Sequence, residues 1–298
     1  MKLDFLICGT PTDVFCSQIA FFRLCLDNLG GDYKNARLVA TFGDHLVERI
    51  PERWQPYFNN IEVKWSHPVG AVNPDYFAQH YHRFKVFRPD ADMVIICDAD
   101  TALIRPFPKL LDMCSQTPAL FGVIAHYHMS TDKDWQEIAK AVINKPIKIE
   151  YNYTLEASDS LPVAPFYINY GFLAGTPALL TKLYNNDITL IDSIIQQVGP
   201  FWASQVSVAL VSENLNLPRF ALPLRYNFPN DKKADQLYPN ELEKIILLHY
   251  LRNTIYDRHK IFTNEKEFDF FMNLDLYGSD KVFQQHVSKL TDGKYPFT

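Results

Sequence analysis

The sequence contains no apolar run approaching the roughly 20 residues that a membrane-spanning helix requires. No transmembrane segment is therefore expected. The amino terminus has no basic stretch, carries Asp4 inside its first apolar run and meets Gly9 and Pro11 too early for a secretory signal, so the cytoplasm is the expected location. None of the five cysteines (Cys8, Cys16, Cys25, Cys97 and Cys114) forms the pair separated by two residues that a structural zinc or a thioredoxin-like motif uses. Odd in number, they read as buried thiols in a reducing compartment, where the sequon Asn152-Tyr153-Thr154 carries no meaning. A net charge of −5 with scattered basic residues argues against a nucleic-acid partner, which selects a basic face. Repeats, low-complexity tracts and flexible linkers are also missing.

What is present suits a folded α/β protein. An apolar fraction of 47% with 14% aromatics supplies a large core, and 21% charged residues exclude disorder as a general description. Leu3 to Cys8 reads as a strand ending at Gly9, and Thr10, Pro11 and Asp13 offer an N-cap, a first-turn proline and a first-turn acid for a helix. That helix shows Phe15, Ile19, Phe22, Leu26 and Leu29 on one face and stops at Gly30 and Gly31. Ala36 to Phe42 and Ile61 to Trp65 read as further strands. A second helix starts at Asn73 and Pro74, carries Phe77, Tyr81, Phe84 and Phe87, and ends before Pro89.

The run Met93 to Cys97 is short, bounded and almost wholly apolar, as a central parallel strand should be. Asp98, Ala99 and Asp100 follow at once. Open α/β sheets bind ligands beyond the carboxyl ends of their strands, so this acidic pair sits where chemistry is done. Two aspartates one residue apart in a chain leaving the sheet can face one cation. A hard ion such as Mn²⁺ or Mg²⁺ takes oxygen ligands and keeps positions open for phosphates. The bland alternative is that both residues only shape a turn.

Further on, Ala119 to Ala125 reads as a strand, and Thr131 with Asp134 as the cap of a helix bearing Trp135, Ile138, Val142 and Ile143. Residues 145–165 read as a long functional loop. An apolar segment Phe166 to Ala174 follows, then helices near Pro177 to Tyr184, Ile188 to Val198 and Phe201 to Leu215. Strands Arg219 to Leu224 and Ile245 to Leu251 and a tail helical from Glu265 complete the chain. His126 and His128 share one side of a strand end and could hold a metal or line a cleft, whereas His80 and His82 do not share a helix face. Trp135 and Trp202 fall in apolar helical patterns and read as core.

In this order of elements the sequence resembles the GT-A glycosyltransferases, and within them the retaining family that includes glycogenin and the bacterial lipopolysaccharide galactosyltransferases. The likeness runs from the first strand to about Arg252. It rests on Arg83 before the acidic strand, Asp98 to Ile104, the Asn-x-Gly of Asn169, Tyr170 and Gly171, Ser204-Gln205 where the family has Asp-Gln, and His249 at a late strand end. The resemblance implies one GT-A domain over 1–298, with a mostly parallel central sheet flanked by helices. Residues 1–105 would form a nucleotide-binding half, 106–262 an acceptor-side half, and 263–298 a helical tail.

It further implies metal ligands Asp98, Asp100 and His249 for Mn²⁺ or Mg²⁺, and a UDP-sugar donor. That donor would be held by Cys8, Gly9, Thr10, Arg83, Asp98, Ala99 and Asp100. Asn169 and Gln205 would lie near the anomeric carbon of a retaining reaction. The family's Lys-Pro-Trp after the histidine is missing, since Tyr250, Leu251 and Arg252 follow His249, so the lysine that would grip the diphosphate is not assigned and Arg252 would be its substitute. The acceptor would be a hydroxyl of a glycan, glycolipid or protein.

Two other functions remain open. Asp98-Ala99-Asp100-Thr101 also spells the nucleophile signature of haloacid dehalogenase phosphatases, with Asp98 attacking phosphorus, although there it stands on the first strand. A non-catalytic sugar-nucleotide-binding protein is the other. If the transfer inverted the anomeric centre it would need a carboxylate base, for which Glu156, Asp159, Glu213 and Asp231 are candidates.

Overall fold

The computed structural model describes residues 1–43, 48–65, 86–129, 131–156 and 162–298. Most of the helix expected from Asn73, with His80, His82 and Arg83, lies outside them, as does Asp159. A first group of strands comprises β1 (Leu3–Gly9), β2 (Arg37–Phe42), β3 (Glu62–Trp65), β4 (Met93–Cys97) and β5 (Thr101–Leu103). The later strands are β6 (Leu120–Ile124), β7 (Ile168–Gly175), β8 (Arg219–Ala221), β9 (Phe228–Pro229) and β10 (Leu247–His249). Seven form one sheet in the order β3-β2-β1-β4-β7-β6-β8, and three form a second in the order β5-β10-β9. In the large sheet only β7 runs against its neighbours, so the sheet is mostly parallel.

All of β4 is buried, as a central strand covered on both faces requires. Helix Asp13–Leu29 covers one face, and its cap is Thr12, whose hydroxyl accepts from the Phe15 amide. The cap thus falls two residues after Thr10, and Pro11 precedes the helix. Gly9 is needed where β1 gives way to this helix, because a Cβ there would stand 2.6 Å from the Phe15 ring. Asp134 alone caps helix Trp135–Ile143, in a reciprocal capping box with Glu137, while the Thr131 hydroxyl accepts from Lys133 instead.

Other boundaries differ from the sequence expectation. Residues 177–198 form one continuous helix, because nothing between its apolar positions breaks the turn. The strand expected over 219–224 ends at Ala221 before a 3₁₀ turn Leu224–Tyr226, and the strand expected over 245–251 contracts to Leu247–His249. Trp135 is buried as expected, but Trp202 is only half-buried at the start of its helix. The tail is two helices, Glu265–Met272 and Gly278–Thr291, and it belongs to the main core: Phe283 stacks on Tyr250 at 4.5 Å and meets Phe21 edge-on at 6.2 Å.

Candidate metal centre

The chain leaves β4 at Cys97, turns through Asp98, Ala99 and Asp100, and enters β5. The Thr101 hydroxyl donates to the Asp98 carbonyl at 2.8 Å and stitches this turn. β5 pairs antiparallel with β10, which sets His249 opposite Thr101, and the Tyr250 amide donates to the Asp100 carbonyl at 3.0 Å. On its other side β10 pairs in parallel with β9, His249 opposite Pro229, so Asn227 arrives beside the imidazole. The small sheet thereby collects an acidic turn, a histidine and an amide from segments far apart in sequence.

Asp98, Asp100 and His249 offer ligand atoms that all lie within 4.8 Å of one another. Among the described residues this is the one such group of three. His249 Nε2 stands 3.1 Å from Asp100 Oδ1 and 3.8 Å from Asp98 Oδ2. Burial pulls the His249 pKa down to about 4, opposed by Asp98 and assisted by Arg252, so the ring is neutral near pH 7.

Its tautomer follows from a hydrogen-bond chain. The Gly171 amide, which can only donate, bonds Asn169 Oδ1 at 2.9 Å. That oxygen also receives Asn227 Nδ2 at 2.8 Å, which turns Asn227 Oδ1 toward His249 Nδ1 at 3.1 Å. Nδ1 therefore carries the proton, and the Nε2 lone pair points at the carboxylates. Acceptors facing one another in this way call for a shared cation, and a neutral imidazole with two carboxylates is a donor set that divalent Mn²⁺ or Mg²⁺ accepts. Gly171 is required by the same packing, since a Cβ there would lie 2.2 Å from Asn227 Oδ1 and 2.4 Å from His249 Nδ1.

The other expected residues fall around this group. Cys8, Gly9 and Thr10 continue β1 past the Ile7–Cys97 pair, so they emerge beside the acidic turn. Ala99 is buried, its carbonyl accepting from the Tyr250 hydroxyl at 3.5 Å. Asn169 joins the chain just described. Gln205 lies half-buried in helix Pro200–Asn214 and is not part of that chain. Arg252 pairs with Asp231 at 3.3 Å and lies over the Tyr127 ring, whereas Arg258 donates directly to Asp100 Oδ2.

His126 is buried against the Thr154 hydroxyl, its pKa pulled to about 3 by burial with help from His249 and Arg252, and neither it nor His128 joins the metal group. Sequence reasoning missed Asn227 and Arg258. Asn227 precedes a strand of only two residues, too short for a period, and Arg258 lies among turns without any pattern.

No protein-family model and no curated protein matches the sequence. Solved structures do. The bifunctional glycosyltransferase WbbM matches with a TM-score of 0.53 and 11% identity over 85% of this chain. An active-site mutant of LgtC matches with a TM-score of 0.55 and 13% identity, covering 96% of this chain and 95% of that one. The protein has the GT-A fold. Mouse xyloside xylosyltransferase 1 matches at 0.50 and 9% identity, covering 85% of this chain and 99% of its own. The chain spans 46% of the length of WbbM. In this GT-A sheet Asp98 follows the fourth strand, and the Thr101 hydroxyl is spent on the turn, so the phosphatase signature lacks its context. No helix among the described residues is long and apolar enough to cross a membrane.

Proposed function

We infer that the protein is a metal-dependent glycosyltransferase that moves a sugar from a UDP-sugar to a hydroxyl of a glycan, glycolipid or protein, and that the whole chain acts as one unit. The observation that carries this reading is the Asp98, Asp100 and His249 group beyond the carboxyl end of β4, with His249 Nε2 held as a lone pair. In the GT-A fold that edge of the sheet is where a nucleotide diphosphate would lie. Mn²⁺ or Mg²⁺ bound there would neutralise charge developing on the leaving diphosphate.

The chain's own residues do the rest. Asp98 and Asp100 bring negative charge to the diphosphate edge, and Asn227 holds the His249 ring in one tautomer. Cys8, Gly9 and Thr10 would offer backbone groups to the uracil, with Arg83 as a further contact. Asn169 and Gln205 would face the transferred sugar.

Retention is supported by the state of three of the four carboxylates that inversion could use as a base, the fourth, Asp159, lying outside the described residues. Glu213 is paired with Arg219, Asp231 with Arg252, and Glu156 accepts from the His128 amide at 2.7 Å, so each is already engaged. Thermal unfolding tests the reading: UDP with Mn²⁺ should raise Tm by mass action, and AMP or phosphate with Mg²⁺ should not. Protection by fluoroberyllate without protection by UDP would instead establish a phosphatase. A screen of sugar nucleotides for Mn²⁺-dependent hydrolysis then separates an enzyme from a binding protein.

A further inference from the structure

A cation that touches the metal group already belongs to the chain itself. Arg258 donates through Nη1 to Asp100 Oδ2, while the other oxygen of the same carboxylate faces His249 Nε2. This contact is prepared by the fold. Tyr256, two residues earlier, is buried and donates to Asp280 at 2.6 Å, and Ile261 and Phe262 are buried on the other side. The Arg258 amide is in turn fixed on Asn253 Oδ1 at 3.2 Å. A backbone anchored on both flanks delivers the guanidinium to one place, and its side chain is 21% exposed, enough to swing without disturbing the core. Arg252 has its own carboxylate in Asp231 and is not in contact with Asp100.

Building on the metal-dependent reading, we propose that Arg258 is an exchangeable counter-ion of the metal group: a divalent ion displaces its guanidinium from Asp100, and the freed fork then binds the nucleoside diphosphate. Two positive centres on one carboxylate repel, so an arriving ion weakens the Arg258 contact at short range. A diphosphate bridged to that ion brings oxygens into the same few ångströms, and a guanidinium fits them two at a time. The device has a thermodynamic signature. Without nucleotide Arg258 opposes ion binding, and with nucleotide it favours it, so ion and diphosphate bind with positive coupling that is equal from either side.

Titration calorimetry of the full chain with MnCl₂ alone, and with MnCl₂ at saturating UDP, reads this directly. For Arg258→Gln, Mn²⁺ alone should bind several-fold tighter than to the wild type, and the tightening produced by UDP should shrink by about 10-fold, within the usual range of such couplings. Arg258→Lys keeps the charge without the fork, so it should hold Mn²⁺ as weakly as the wild type yet lose most of the coupling. Unliganded melting curves identify any variant that is merely misfolded, and the Lys variant then carries the test.

If Arg258→Gln binds Mn²⁺ no tighter than the wild type, or keeps the full UDP coupling, the exchange is overturned while the transferase reading stands. If the wild type binds neither Mn²⁺ nor UDP, the underlying reading fails and takes the exchange with it.

Discussion

The two ends of the large sheet use acid in opposite ways. At the amino end of β1, Asp4 is wholly buried and saturated: Arg37 reaches it at 3.1 Å, and Arg88 bonds it through both its backbone amide and its side chain, each at 2.7 Å. Charge there is closed, two guanidinium groups around one carboxylate, with Glu62 balancing Arg37 from outside. At the carboxyl end of β4 two carboxylates face a neutral imidazole, and the guanidinium of Arg258 contacts one of them. That end is open to solvent, both acids being half-buried. An acid enclosed by two guanidinium groups ties strands together, whereas two half-buried carboxylates beside an imidazole lone pair are a place to bind a cation, so partners and burial together distinguish the two ends.

Substitutions at the two ends should therefore have opposite phenotypes. The largest effect is expected for Asp98→Asn and Asp100→Asn, which should lower Mn²⁺-dependent transfer and Mn²⁺ affinity by more than the roughly 100-fold typical of residues that only support a metal ligand. Their unfolding free energies in denaturant should stay within about 1 kcal/mol of the wild type, since half-buried acids at a strand end add little to the core. An Asp100→Asn protein with normal Mn²⁺ dependence would break the comparison. At the closed end, Asp4→Asn should cost about 3 kcal/mol in denaturant unfolding, because two arginines are left without their carboxylate. Mn²⁺ and UDP affinity of the folded variant should not change.

A smaller effect tests the relay behind the open end. Asn227→Ala removes the acceptor that holds the proton on His249 Nδ1, and Mn²⁺ affinity measured by calorimetry should fall about 10- to 100-fold. Unchanged affinity would show that the carboxylates alone orient the imidazole.

The smallest effect concerns His286, which has the same depressed pKa as His249, about 4 through burial, but lies in the core against Cys25 and Phe21. Unfolded histidine titrates near 6.5, so between about pH 6.5 and 4 the unfolded chain binds the extra proton, and stability is lost as pH falls through that window. His286→Leu should flatten the slope of stability against pH by about 1 kcal/mol per unit and leave Mn²⁺ binding at pH 7 intact. A metal phenotype for His286→Leu would mean that a shifted pKa alone had been the better guide to function.

Much of this arrangement was legible in the residues. Apolar-rich runs of five to seven residues located β1, β2, β4 and β6, because a strand covered on both faces leaves a local signature that needs no partner to be read, whereas the nine-residue apolar segment that holds β7 was legible as a strand only through the resemblance. The acidic pair was legible for the same reason: it directly follows such a strand. His249 and Asn169 could be singled out only through the resemblance, and helix ends were misjudged by a residue or two where several capping residues stood in a row.

What tertiary structure alone decided is which distant groups meet. β5, β9 and β10 are two or three residues long, and strands that short are stabilised by their pairing rather than by any pattern of their own. Their register carries Asn227 to His249 and His249 to Asp100. The segment anchored by buried Tyr256, Ile261 and Phe262 likewise delivers Arg258, not Arg252, to the acidic turn. Composition and periodicity record how a residue meets its sequence neighbours. The charge balance of this site depends on contacts between residues as many as 158 positions apart, and such contacts exist only once the sheets have closed.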